Sequence, residues 1–383
     1  MRLPPAPGQA QTLLMVHSLR DKRLEQPLRE RERESETQLL PGRDLIASRT
    51  PCLSIFTGAA PYPGRETVQV SPVPSLLESA EGPSTPQMLI LSCPSKLRLL
   101  EGTLRRRLPN TLQVYGTVKT INRGNPTAQE VLVDSWPEFK VVLTRPRREV
   151  VSDDSDLYTN TYTVYYQDLG AYHAMLGSAG AVNWGQNFRI LGLQDGVYEV
   201  CKDIAEAKGI KLEVVRYFTY FHPDPSSMPE IRLDPTVRLS SLDVSHADLL
   251  NEMWQLGGNE KSRKYLASLI RHFPSVCLLD AAGHPVSWIA SYPFGAMGPG
   301  YTLPQHRRRG YMGMLNNLLA KQLHALGYPS YGYVAMENDP MQRLQETQGF
   351  QRQPNLWYFI LHNPAPAKAP TLTPSPAPGT APP

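Results

Sequence analysis

The sequence predicts an α+β protein in which mixed sheets are flanked by helices, arranged as two consecutive units between two disordered ends. Two observations lead to this prediction. Apolar residues recur at helical spacing in some segments and in short strand-like runs in others, and the two kinds of segment alternate along the chain. The 37 prolines fall mainly near the two ends, where this periodicity is lost.

The two terminal segments differ in composition from the rest of the chain. Residues 1–87 contain an alternating Arg/Glu run and then sequence rich in Pro, Gly and Ser, which buries too little apolar area to offset the entropy of ordering. Residues 363–383 are rich in Pro, Ala and Thr. We predict that both segments are disordered, although the Arg/Glu run at 29–34 is also compatible with a short solvated helix.

Composition argues against several classes of function. The net charge of +4 is too small for a nucleic-acid-binding protein, although it suits a small polyanionic ligand. The four cysteines lie far apart and match neither a disulfide framework nor a metal site. No apolar run approaches the roughly 20 residues that a membrane-spanning helix needs. We therefore expect no nucleic-acid partner, no membrane span and no metal.

The first unit is predicted at 88–230. Its expected helices are 95–107, 168–176 and 197–208. Its expected strands are 112–120, 130–134, 140–143, 162–166, 188–191 and 211–220. Four prolines between 223 and 235 indicate a linker to the next unit.

The second unit is predicted at 236–362. Its expected strands are 237–242, 276–279, 286–291, 300–303, 331–336 and 356–361. Its expected helices are 246–255, 259–272, 311–326 and 340–348. Asn259 is the expected N-cap of the second of these helices, and Gly327 is expected to end the third.

The sharpest local signal is a basic turn that ends in glycine at the start of an amphipathic helix. Such a turn points free backbone N–H groups outward with the positive end of the helix dipole behind them, which suits a phosphate. The residues predicted to bind the ligand here are Leu303, Arg307, Arg308, Arg309, Gly310, Tyr311 and Met312. On the loop alone, a solvated basic turn without a ligand explains the pattern equally well.

Two further features accompany the basic turn. Gly-Pro-Gly at 298–300 predicts a bulge in the preceding strand, because proline cannot donate to a sheet ladder and glycine tolerates irregular backbone. Downstream, Asn338 precedes a helix for which we expect Asp339 as the cap and Pro340 as the first helical residue. That helix ends at Gly349.

These features resemble the motifs of the GNAT acetyltransferase superfamily. Its pyrophosphate loop, Arg-x-x-Gly-x-Gly/Ala, is matched by Arg307 and Gly310, with Met312 in place of the usual small residue. Its closing motif is matched by Asn338, by a leucine six residues later and by the Gly-Phe pair at 349–350, and the resemblance implies that Asn338 also contacts the CoA. The resemblance implies that two central strands separate at the 298–300 bulge and admit the pantetheine and acyl thioester of acyl-CoA.

Longer segments resemble the glycine N-acyltransferase family within that superfamily, over 88–362. They include NRGNP at 122–126, VDSWP at 133–137, PVSW at 285–288 and YTLP at 301–304. The resemblance implies tandem GNAT-like domains, of which the first is degenerate and binds no CoA. It implies acyl transfer from acyl-CoA, a co-substrate and not a permanently bound cofactor, to glycine or another small amino acid. It also implies a monomer in the mitochondrion, with the cytoplasm as the alternative.

The chain departs from this family at both proton-transfer positions. The family's proposed general base, a glutamate, is replaced by Ala296, and the tyrosine that many GNAT enzymes use as an acid is replaced by Gln345. His306, Glu260 and Glu337 are candidate substitutes for the base, although each has a structural explanation as well. The alternative hypothesis is therefore a non-catalytic acyl-CoA-binding or interaction protein that has lost the chemistry.

Overall fold

The computed structural model describes residues 88–232 and 235–364, so the ends predicted to be disordered lie almost entirely outside the described residues. The helices are α1 (Pro94–Arg105), α2 (Leu112–Asn122), α3 (Leu169–Gly177), α4 (Val197–Ala207), α5 (Ala247–Met253), α6 (Glu260–His272), α7 (Tyr311–Ala325) and α8 (Asp339–Thr347). The strands are β1 (Leu89–Leu91), β2 (Gln129–Val133), β3 (Val141–Pro146), β4 (Thr161–Tyr166), β5 (Phe188–Leu191), β6 (Lys211–His222), β7 (Arg238–Ser240), β8 (Val276–Leu279), β9 (Pro285–Ser291), β10 (Met297–Thr302), β11 (Ser330–Ala335) and β12 (Gln351–Asn363).

The strands form one 12-stranded sheet in the order β1-β2-β3-β4-β5-β12-β6-β11-β10-β9-β8-β7. The pairs β4–β5 and β10–β11 are parallel, and the other neighbours are antiparallel. The sheet is therefore mixed, and with helices on both faces it confirms the predicted α+β class.

Strands from the two halves of the chain alternate in the centre of the sheet. The last strand, β12, pairs with β5 through Ile360 opposite Ile190 and with β6 along most of its length. On its other edge, β6 pairs with β11. The predicted domain boundary at 230–236 falls between β6 and β7 in sequence. The division into two domains stays a prediction, because each half supplies a strand that lies between strands of the other.

Alternate residues of the strands support two sets of helices. On one face, here called the front face, α1 and α2 pack on side chains such as Val131 and Val142, and α5 and α6 pack on Trp288 and Ala290. On the opposite face, the back face, α3 and α4 pack on side chains such as Leu132, whereas α7 packs on the back of β8, β9 and β11. Each face thus has its own apolar cores.

The prediction of a strand at 112–120 was wrong, because this segment forms helix α2. Most of its 11 residues are buried, so the sequence lacks the polar stripe that normally marks a surface helix. Its polar side chains are satisfied across the interface: Gln113 donates to the hydroxyl of Tyr333 at 2.8 Å, and the Tyr115 hydroxyl donates to the Gly327 carbonyl at 2.8 Å.

The other predicted helices and strands are present close to their predicted positions. The Asn259 side chain accepts the Ser262 N–H as the N-cap of α6, and Gly327 follows α7 with a φ of +77°. The prediction of Asp339 as the cap of α8 was wrong. The helix begins one residue earlier, because the Asn338 side chain accepts the Met341 N–H and Pro340 is tolerated anywhere in the first turn.

Gly116 allows α2 to approach the turn between β9 and β10. A Cβ at this position would lie 1.9 Å from the Phe294 carbonyl oxygen. We predict that Gly116→Ala lowers the free energy of unfolding by about 1–3 kcal/mol, since backbone must move to relieve the overlap. Gly102→Ala in α1 is the matched control, because its Cβ would meet only Arg106 at 3.7 Å.

The control substitution should stabilise the protein by about 0.5–1 kcal/mol through helix propensity alone. Urea unfolding followed by circular dichroism measures both variants. Equal effects of the two substitutions would contradict the close approach of α2 to the turn.

Candidate functional site

The basic turn has the geometry of an anion site at the N-terminus of α7. Leu303 donates its N–H to the Val286 carbonyl at 3.0 Å, which fixes the start of the turn on β9. Arg308 and Gly310 have φ values of +63° and +76°, so the backbone reverses sharply before the helix begins. A Cβ at Gly310 would meet nothing within 4 Å, which shows open space in front of the helix N-terminus.

The three arginines of the turn are exposed, and one of them is held in place. Arg307 donates from Nε to the Thr302 carbonyl at 3.1 Å and from Nη2 to the Tyr301 hydroxyl at 3.0 Å. Arg308 and Arg309 are exposed beside it. Positive charge therefore surrounds a helix N-terminus, where an anionic group is stabilised by about 0.3–1 kcal/mol from the dipole alone.

Burial of the first turn of α7 makes this N-terminus rigid. Tyr311 is 1% exposed and belongs to the apolar core of the back face. Met312, where the GNAT motif has a small residue, reaches toward β10, and its Cε would lie 3.4 Å from a Cβ added at Gly300. At the next residue, a Cβ added at Gly313 would lie 2.9 Å from Leu344, so α7 and α8 cross closely here.

The expected separation of two central strands is present between β10 and β11. Their pairing, as the described residues show it, is limited to Met297 opposite Gly332. In contrast, β10 remains paired with β9 as far as Thr302, with a register shift between Met297 and Gly300 that confirms the predicted bulge. Beyond Met297 the edge of β10 therefore faces a gap beside the basic turn.

Ala296 and Gln345, the two residues that differ from the family motif, are both buried. Ala296 immediately precedes β10, is 0% exposed and packs among aromatic side chains such as Phe294 and Tyr331. Gln345 in α8 is 3% exposed, and its side chain amide exchanges hydrogen bonds with that of Asn316 in α7 at 3.3 and 3.4 Å. Gln345 thus takes part in helix packing.

The three candidate substitutes for the base lie on three separate elements. Glu260 is exposed in the first turn of α6, and a hydrogen bond from Arg263 at 2.8 Å lowers its pKa. His306 lies in the turn before α7, and its Nδ1 is buried without a hydrogen-bond partner. Glu337 is exposed two residues after the end of β11. The motif residue Asn338 follows it at the start of α8.

Sequence reasoning missed a row of aromatic side chains on the front face, here called the aromatic floor: Tyr217, Tyr333, Trp357 and Phe359. Trp357 stacks on Tyr333 with ring centroids 3.8 Å apart and lies 5.5 and 6.1 Å from Tyr217 and Phe359. The density of aromatic residues in β6 and β12 was the available signal, but a strand core explains it equally well.

Tyrosine hydroxyls surround the aromatic floor and remain protonated. Burial raises the pKa of Tyr265, Tyr292 and Tyr333, as desolvation disfavours the phenolate. The pKa of Tyr217 is raised as well, mainly by burial and to a smaller extent by the nearby charge of Glu337. These groups can donate hydrogen bonds to a ligand, but they are unsuited to removing a proton at neutral pH.

The separated strands, the bulge and the glycine-ended basic turn together define an acyl-CoA-dependent acyltransferase of the GNAT type. The chain belongs to the aralkyl acyl-CoA:amino acid N-acyltransferase family. The model of that family matches residues 88–274, and the model of its C-terminal region matches residues 276–364.

Individual relatives agree with this membership. The chain is 35% identical over 287 residues to the Bos taurus glycine N-phenylacetyltransferase, which covers 70% of this chain and 97% of the relative. It is 34% identical over 287 residues to the Homo sapiens glycine N-acyltransferase, with the same coverage. A solved Drosophila protein of 16% identity shares the fold with a TM-score of 0.60, over 71% of this chain and 98% of its own.

The described residues contain neither a membrane-spanning helix nor a metal-binding cluster. None of the helices in residues 88–232 and 235–364 is long and apolar enough to cross a membrane. In the same part of the chain, no cluster of three or more His, Cys, Asp or Glu side chains could hold a metal ion.

The open space at Gly310 generates a direct test of the anion site. We predict that Gly310→Glu abolishes acyl-CoA binding in isothermal titration calorimetry, because a carboxylate would occupy the phosphate position. Gly209→Glu is the matched control: Gly209 also has a positive φ, of +66°, and equally open space, but it follows α4. Both variants should lose about 1–2 kcal/mol of stability from backbone strain.

The control should bind acyl-CoA like the wild type. Wild-type affinity in the Gly310 variant would show that the basic turn binds no phosphate.

Proposed function

We propose that this protein transfers an acyl group from acyl-CoA to the amino group of glycine, giving an N-acylglycine and CoA. The observation that carries the proposal is the gap between β10 and β11 beside the open, basic N-terminus of α7. Two relatives named for acyl transfer to glycine, each about 35% identical, support the choice of acceptor. Acyl-CoA is a substrate in this proposal and leaves as CoA.

In the reaction, the amine nitrogen of glycine attacks the thioester carbonyl carbon, and the carbon–sulfur bond breaks. The amine loses a proton, and the departing thiolate gains one, so the products are an amide and a thiol. Gly298 and Pro299 lie in the bulge and have no register partners on β9. We assign the Gly298 N–H as a donor to the developing oxyanion, a contribution worth about 2.7–4 kcal/mol in other enzymes.

The absence of the family's base does not abolish this reaction. A positioned general base contributes about 10²–10⁴-fold, equivalent to roughly 3–5 kcal/mol. Holding amine and thioester together contributes about 7–11 kcal/mol, which is the larger effect. The thioester is already activated, and a thiolate leaves readily. Ala296 therefore predicts a slower enzyme with a higher pH optimum.

A conjugation assay decides between this function and non-catalytic binding of acyl-CoA. The second function is favoured by Ala296 and Gln345, which replace the two proton-transfer groups. Mass spectrometry would detect the product from acyl-CoAs of several chain lengths, including aralkyl ones, with glycine or glutamine as the acceptor. An N-acylglycine formed in proportion to enzyme supports the transferase. Acyl-CoA binding without any conjugate, at any pH up to 9, would establish the non-catalytic function.

The buried alanine also predicts a specific pH dependence. The wild-type rate should rise about tenfold per pH unit below the pKa of the glycine amine, because only the free amine attacks. Ala296→Glu should raise the rate near pH 7 by up to about 10²-fold, since burial raises the pKa of the new carboxyl and makes it a better base. The gain should shrink at alkaline pH.

Ala296→Gln is the matched control, as it adds similar volume to the same fully buried position without a base. Its pH profile should stay as steep as that of the wild type. A wild-type profile already flat from pH 7 to 9 would show that another group removes the proton, and Glu337 and His306 would be replaced next.

We also propose that the protein acts in the mitochondrion and as a monomer, because the family resemblance favours both. Fractionation of cells that express the full chain with a C-terminal tag measures the compartment, and light scattering during gel filtration measures the mass. A cytoplasmic signal or a dimeric mass would overturn the respective proposal.

A further inference from the structure

A buried arginine without a carboxylate partner lies at one end of the aromatic floor. Arg189 in β5 is 3% exposed. Within residues 88–232 and 235–364, no Asp or Glu lies within ion-pair distance of its guanidinium. A buried charge is costly unless it is paired, so an unpaired guanidinium points to an anion that arrives from outside the protein.

The contacts of Arg189 leave part of the guanidinium unused. Nε donates to the Thr161 hydroxyl at 2.8 Å, and Nη2 donates to the Tyr158 carbonyl and the Tyr265 hydroxyl, both at 3.2 Å. All three acceptors are neutral. Nη1 has no hydrogen bond to any described residue, and the guanidinium carbon lies 5.8 Å from the centroid of the Phe359 ring.

The other buried arginine of the described region shows how this chain otherwise satisfies such a charge. Arg145 in β3 is 5% exposed and bonds through Nε to Glu130 at 2.7 Å. Arg189 lacks any equivalent of Glu130. Asp156 is the acidic residue whose charge acts on the neighbouring Tyr265. Its carboxylate accepts hydrogen bonds from the Tyr158 N–H and the Thr159 hydroxyl and forms no ion pair with Arg189.

Two further unsatisfied polar groups lie on the same face of the sheet. The indole Nε1 of Trp357 and the hydroxyl of Thr219 are buried without hydrogen-bond partners. Trp357 is part of the aromatic floor, between Phe359 beside Arg189 and Tyr333. Thr219 is opposite Tyr333 in the sheet. Unsatisfied donors in a buried site are costly, which again indicates a ligand that supplies acceptor oxygens.

The aromatic floor connects Arg189 with the reaction centre. The charge of Arg189 influences both Tyr292 and Tyr333. A Cβ at Gly298, in the bulge of β10, would lie 3.1 Å from the Tyr292 ring. Tyr217, Tyr292 and Tyr333 are only partly buried, so part of the aromatic floor reaches solvent.

We propose that Arg189 binds the α-carboxylate of the amino-acid acceptor, with the Trp357 indole N–H as a second donor, and so directs the amino group toward the bulge of β10. This inference rests on the proposed function and names the group that recognises its acceptor. The unused Nη1 of Arg189 can donate charge-assisted hydrogen bonds to a carboxylate, and a site that leaves this charge unpaired rejects an acceptor that lacks a carboxylate.

The test compares glycine with glycinamide, which also carries a primary amine but no carboxylate, and kcat/KM is expressed per concentration of free amine because the amino groups of the two acceptors differ in pKa. The wild type should prefer glycine in kcat/KM by on the order of 10²-fold or more. Arg189→Gln should bring this ratio close to one by raising the KM for glycine, while the KM for acyl-CoA stays unchanged. Arg189→Lys should recover part of the preference, and Trp357→Phe should weaken it less than Arg189→Gln.

Arg145→Gln is the matched control for loss of a buried arginine. It should lower the melting temperature but leave the ratio of glycine to glycinamide as in the wild type. Circular dichroism and acyl-CoA affinity show whether each variant is folded. An unchanged ratio in a folded Arg189→Gln variant, or a wild type that uses both acceptors equally, would overturn the assignment.

A binding measurement separates this inference from the proposed function. Calorimetry with N-benzoylglycine and its carboxamide, in the presence of CoA, requires no turnover. Suppose that the wild type conjugates no acceptor but binds N-benzoylglycine and not its carboxamide. If Arg189→Gln then abolishes this binding, the proposed function fails and the Arg189 site stands. If neither compound binds while glycine is conjugated, the transferase stands and the Arg189 site is wrong.

Discussion

The insertion of β12 between β5 and β6 is the constraint on which the rest of the structure depends. Without this strand the sheet would separate into two parts, and β5 and β6 would each present an unpaired edge. The same strand supplies Trp357 and Phe359 to the front face and Ile360 to the back face. Residues from the end of the chain thus complete sites that begin more than 150 residues earlier, at Arg189.

The two faces of this sheet suit two substrates of different chemistry. On the side of α7, exposed arginines and a helix N-terminus meet the phosphates of a large polyanion. On the front face, a single buried guanidinium and aromatic rings suit a small zwitterion. The gap between β10 and β11 lies between these regions and is the place where thioester and amine can meet.

The surroundings of Ala296 explain why an alanine fits at the position that the family resemblance assigns to the general base. The position is fully buried among aromatic rings, so the alanine leaves the packing intact and removes a charge that would be costly to bury. In the proposed reaction, catalysis then depends on positioning more than on proton transfer. The nearby tyrosines, whose pKa values are raised, are poor proton acceptors at neutral pH.

The sequence by itself determined the α+β class, most helices and strands, the 298–300 bulge and the basic turn, because these follow from local periodicity and from glycine and proline chemistry. It could not identify α2 as a helix, since burial on almost every side removed the polar stripe that reveals a helix. Nor could it single out Arg189, which looks like any strand arginine until its lack of a carboxylate partner is visible. Only the tertiary structure decided that β12 lies between β5 and β6, because strand order depends on contacts between residues far apart in the chain.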